Sequence, residues 1–340
     1  MKTPLPFTRT AWPGVAASNR AARRPPTQPP TQPPRQAPPR RIRGLTRGQW
    51  LLAVTGGAIA VLFVTGMAIA LARWIVSLDE VRAFLVTHPG TYAPTVAVAP
   101  GFPAWVQWQH FFNVFLMVLI IRTGWQVRTE KRPAAFWSPR SNKKRRISLT
   151  LWFHNALDLL WFVNGVVFVV LLFVTGHWVR LVPTSLEVFP NALSAALQYV
   201  SLNWPTESGW ANYNSLQQLA YFTTVFVAAP LAAITGVRMS GVWPKNATIL
   251  NRAFPIEWAR ALHFPVMLYF VVFIVVHVTL VFATGALRNL NHMYAGNDGL
   301  GSAGFWIFAA SMAVIVAAWV AARPVVIVPI ARLFGKVKSR

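Results

Sequence analysis

Apolar residues gather into six long runs, roughly 50–75, 104–122, 151–176, 215–237, 259–284 and 304–322, with polar stretches between them. At about 1.5 Å of rise per residue, each run is long enough as a helix to cross a hydrocarbon layer of about 30 Å. Helices are required, because an unpaired backbone group in lipid costs several kcal/mol. The pattern predicts an all-α integral membrane protein with six transmembrane helices in a membrane domain over residues 49–322.

Two basic tails flank that domain. Residues 1–48 are rich in Pro, Arg, Gln and Thr, as in RRPPTQPPTQPPRQAPPRR. Such a segment cannot build a packed core and is expected to be an extended, disordered tail, its arginines suited to anionic lipid head groups. Residues 323–340 form a second, shorter basic tail.

The net charge of +24 first suggests a nucleic-acid partner, but its distribution sets that aside. Of the 32 Lys and Arg residues, 28 lie in the two tails and in the stretches 122–146 and 238–260. Arg73, Arg82, Arg180 and Arg288 are the four on the other side of the alternation. Positive charge marks the cytoplasmic face of a membrane protein. Both termini are therefore expected in the cytoplasm of a bacterial plasma-membrane protein, with the loops 76–103, 177–214 and 285–303 facing outward. Cysteine is absent, which removes disulfides, iron–sulfur clusters, thiolate metal sites and covalent c-type haem.

Histidine is then the remaining strong metal ligand, and four of the seven histidines fall inside predicted spans: His110, His154, His263 and His277. A polar group at membrane depth is costly and usually faces the bundle interior. His263 and His277 share the fifth span; fourteen residues at ~100° each bring them within about 40° of one face, about 21 Å apart along the axis. Depth supplies their partners. The second span enters from outside, which places His110 in its outer third, and the third enters from inside, which places His154 near the inner surface. His110 therefore pairs with His277, and His154 with His263, as two bis-imidazole sites of the kind that b-type haem requires. His177 competes for the outer site but is expected at the interface beside Trp178, and His88 and His292 are expected as surface residues of outer loops.

The segments HFFNVFLMVLIIRTG from His110 and HNALDLLWFVNGVVF from His154, together with the two-histidine fifth span, resemble the prokaryotic cytochrome b561 superfamily. That group includes the cytochrome b subunits of formate dehydrogenase, nickel–iron hydrogenase and thiosulfate reductase. The resemblance covers about 104–285 and implies a four-helix core of spans 2–5 holding two b haems. His110, His154, His263 and His277 are then the axial ligands. It also implies electron transfer between the quinone pool and an extracytoplasmic redox subunit, such as a molybdopterin oxidoreductase. A span before the core departs from the family pattern and inverts the core by the charge rule. The cytochrome b/b6 type fits less well, because it needs histidine pairs on two helices.

Asp158 is the acidic residue well within a span, one turn after His154 on the same face. It is expected either to relay protons at a cytoplasmic quinone site or support an imidazole, or to pair with an inner arginine such as Arg260. Asn155 and Asn164 are candidates for bonds across helices. The stretches 183–214 and 287–298 are aromatic and polar enough to be structured, as a partner surface or as a cap over the outer site. Two readings from other classes stand beside the electron conduit. They are a transporter with a histidine relay, which would string its histidines along one path, and a haem-free membrane anchor.

Overall fold

The computed structural model describes residues 44–94, 96, 98–142, 145–204, 209–244 and 246–339. The Pro-rich tail thus lies almost wholly outside the described residues. The chain divides into a unit ending at Leu62 and one from Phe63 onward. In the first, the described structure is essentially the opening of a helix, α1 (Arg47–Ser77), whose run of apolar residues is exposed as expected for a lipid-facing surface.

Within the second unit follow α2 (Asp79–Thr87) and α3 (Ala104–Thr129), then strands β1 (Ala135–Pro139) and β2 (Ile147–Ser148), and α4 (Leu149–Val174). Next come α5 (Val188–Val200), α6 (Ser215–Phe222), α7 (Ala229–Met239), α8 (Thr248–Ala253) and α9 (Ile256–Ala283). The chain ends with α10 (Ala286–Leu290), α11 (Ala303–Ala321), α12 (Pro324–Phe334) and β3 (Gly335–Ser339). Six helices are long and apolar enough to span a membrane, with α6 and α7 joined into one helix over Ser215–Met239. Their bounds agree with the six apolar runs to within a few residues, except that the second continues to Thr129.

Local chemistry sets the helix starts. The Ser148 hydroxyl accepts from the Leu151 N–H at the start of α4, and Asn214 with Gln217 closes a capping box on α6. Between α6 and α7 the helix widens into a π-helical stretch, Thr223–Ala228. Pro230 follows it, and a proline has no N–H for the preceding turn and crowds its carbonyl, which favours such a bulge.

Spans 2–5 form the core. α3 packs along α4, and α7 packs along α9. Leu116 and Leu119 of α3 meet Leu157 of α4, with Ala318 and Ala322 at the end of α11 against them. Ala228, Val266 and Phe270 form a second cluster, and Met117 and Trp161 reach into it from α3 and α4. Trp161 also donates its indole N–H to Asn113 at 3.2 Å. The bundle is thus knitted across its middle by large side chains.

The second tail is folded. β3 pairs antiparallel with β1, which pairs with β2, in the order β2-β1-β3. Ile327 and Ala331 of α12 bury against Ala135 and Leu149, and the Trp137 indole donates to the Ala331 carbonyl at 3.1 Å. This pairing joins residues nearly two hundred apart, which no local periodicity reports.

Candidate functional site: two histidine pairs at opposite ends of the core

At the end of the bundle that carries the basic connections, two histidines are held in matching ways. His154 of α4 places its Nδ1 2.9 Å from the Thr123 hydroxyl of α3. His263 of α9 places its Nδ1 2.8 Å from the Thr235 hydroxyl of α7. Each threonine is followed by a glycine that forms the floor under the ring. A Cβ on Gly124 would stand 3.2 Å from His154 Cε1, and one on Gly236 would stand 3.5 Å from His263 Cε1. His154 and His263 are close enough to interact electrostatically.

Asp158 lies one turn along α4 with Oδ2 3.5 Å from His154 Nε2. Among the described residues it pairs with no arginine, so the expected partnership with Arg260 is not formed. Its side chain is 37% exposed. Asn164 Nδ2 is buried without a partner among the described residues, so the expected bond across helices is not made there.

At the other end, His110 of α3 and His277 of α9 face each other with ring centres 6.4 Å apart. Phe273 stacks on His277 at 5.7 Å and Tyr221 meets it edge-on at 6.2 Å, while Tyr294 meets His110 edge-on at 5.9 Å. Burial pushes the Tyr294 phenol up to about 12, so it faces the site as a neutral group. His110 Nδ1 is buried with no hydrogen-bond partner among the described residues.

The loops at this end are built as a cap. Arg180 is buried and donates to the carbonyls of Gly101, Gly209 and Trp210, with its guanidinium 4.8 Å from the Tyr213 ring centre. Asn191 accepts from the Gly90 N–H, and Tyr92 donates to Gln218. His292, expected at the surface, is instead buried. Trp210 and Phe102 cover it at 5.2 and 6.2 Å, and its Nε2 lies 2.6 Å from Asp298. Arg288 grips the same carboxylate with two bonds of 2.7 and 3.0 Å. His88 rests half-buried against Phe84, and His177 sits beside Trp105 with its Nδ1 near the Thr175 hydroxyl, outside the His110–His277 contact.

The His110–His277 pair fits a haem iron. Two imidazoles bound at about 2 Å each set their ring centres about 6 Å apart, close to the separation of His110 and His277. Among the described residues no group of three or more His, Cys, Asp or Glu side chains converges. Over residues 101–296 the sequence matches the prokaryotic cytochrome b561 family.

The chain belongs to that family.

This cytochrome b561 is therefore a multi-pass bacterial membrane protein that carries electrons through b-type haem. A relative in Azospira oryzae, provisionally named protein-methionine-sulfoxide reductase subunit YedZ1, is 27% identical over 194 residues. The match covers 53% of this cytochrome and 88% of the relative. No solved structure matches it.

Sequence reasoning missed the Thr123 and Thr235 hydroxyls as partners of the histidines. It also missed Tyr221, which reaches the His110–His277 site from α6.

Proposed function

We propose that His110 with His277, and His154 with His263, each hold one b haem, and that the two haems carry electrons between the quinone pool and an extracytoplasmic redox subunit. The observation that carries this reading is the meeting of His110 and His277 at 6.4 Å, with His154 and His263 in matching Thr-Gly seats at the far end of the bundle. When bound, haem supplies a one-electron couple. The protein holds the imidazoles in place, walls the cap-end site with aromatic rings and keeps the two sites at opposite membrane depths.

By the charge rule, the His154–His263 end is cytoplasmic and the capped end faces outward. A cavity of about 250 Å³ at the basic end supports quinone entry there. Its lining combines the apolar Phe153, Pro324 and Ile327 with Glu130 and Thr150, the polar pair of a head-group site. Asp158 is the carboxyl nearest the His154 site and is the candidate proton relay for it. The name of the relative, a reductase subunit, supports a reductase as partner; the charge rule puts that partner outside, and a molybdopterin-dependent oxidoreductase is the class we favour.

Reduced-minus-oxidised spectra with a haem assay on purified protein test the core of this reading. The expected result is b-type bands with two haems per chain. Protein made with ample haem supply that binds none refutes it.

A further inference from the structure

The two ends treat their histidines differently. At the basic end, each threonine hydroxyl has carbonyls of its own helix as acceptors: Leu119 at 2.8 Å for Thr123 and Leu231 at 2.6 Å for Thr235. A hydroxyl carries a single proton, and a threonine that donates it to the carbonyl has no second proton for the imidazole. The oxygen can then only accept from the imidazole. With the hydrogens of His154 and His263 on Nδ1, Nε2 is the ligand nitrogen of each ring, and Asp158 Oδ2 lies 3.5 Å from that of His154.

Nothing comparable serves the other end. Among the described residues His110 Nδ1 is buried with no partner, and no side-chain hydrogen bond reaches His277, whose neighbours are the rings of Phe273, Tyr221 and His110. A ligating imidazole that donates its second N–H is more basic and favours the oxidised metal.

We infer that the Thr123 and Thr235 hydroxyls are a matched pair of positioning residues that hold the basic-end haem at a lower potential than the cap-end haem. The inference rests on the histidine assignment proposed above and adds a direction to it. Electrons delivered at the basic end by a quinol run downhill to the cap end and on to an oxidising partner there. Each internal transfer moves one electron, oxidising the first haem and reducing the second, with no bond made or broken. Each quinol supplies two electrons for two such transfers and releases its two protons at the basic end as it becomes quinone, and the partner's substrate takes up the two electrons.

Potentiometric titration of the purified protein tests this. Two waves are expected in the wild type. Thr123→Val and Thr235→Val each raise the lower wave alone, changing that haem's oxidised-to-reduced ratio at fixed potential by about threefold to tenfold. Thr123→Ser and Thr235→Ser restore the wild-type value. Valine variants that keep both haems and leave the lower wave unmoved overturn the inference. His277→Ala gives a reading that does not depend on those variants folding, because it leaves only the basic-end haem. That protein must show the lower wave, and the higher wave alone overturns the inference. Failure of the ligand assignment is distinguishable, since His154→Ala and His263→Ala would then retain both haems whatever the titration shows.

Discussion

Gly124 and Gly236 occupy equivalent seats, yet they predict different outcomes for the same substitution. Gly124→Ala places a Cβ 3.2 Å from His154 Cε1, inside the 3.5–4.0 Å at which carbon atoms pack best. The imidazole must move by a few tenths of an ångström while Thr123 holds its Nδ1 from the same helix. Overpacking of this kind costs about 1–3 kcal/mol, and the gain from replacing a helical glycine by alanine recovers at most about 1 kcal/mol. Gly236→Ala meets His263 Cε1 at 3.5 Å, an ordinary contact, and keeps the helix gain. Haem content and absorption spectra of both variants check this, with the His110–His277 haem as an internal reference. Gly124→Ala should weaken or perturb the basic-end haem alone, and Gly236→Ala should leave both intact. Equal loss in the two variants, or an unperturbed Gly124→Ala protein, refutes the reasoning.

Other outcomes follow from the same geometry. His277→Ala should lose the cap-end haem and keep the other, so haem content falls by half; equal loss from both sites argues against separate pairs. The carboxyl of Asp298 is held well below the usual carboxylate range by bonds from Arg288 and His292. Because its folded-state value is depressed, its stabilisation of the cap is present above the ordinary carboxylate range and is lost as pH falls through the folded-state value. Hydrogen exchange over 287–302 should therefore stay slow down to mildly acidic pH in the wild type and be fast at neutral pH in Asp298→Asn. With no native cysteine to interfere, Ser141→Cys and Glu187→Cys report orientation. A membrane-impermeant thiol reagent on intact cells should label the second and spare the first, and the reverse overturns the charge-rule topology.

The membrane architecture was legible in the sequence because lipid imposes length and polarity on every span. The pairing of His110 with His277 followed from depth alone, and the structure brings those rings together. What escaped depends on register between helices and on distant loops. Which rotamer of Thr123 meets His154 is decided by how α3 turns against α4, and a Thr-Gly dipeptide carries no record of that. His292 looked like a surface residue because its neighbours are polar, but Trp210 and Phe102 arrive from loops far away in the chain to cover it. β3 is five residues of ordinary composition whose strand character exists only beside β1.

That last strand bears on how the protein is handled. The C-terminal residues pair with β1, and β1 leads through β2 directly into α4, the helix that carries His154. A fusion or affinity tag joined to this strand would pull on the element that steadies the entrance to that helix.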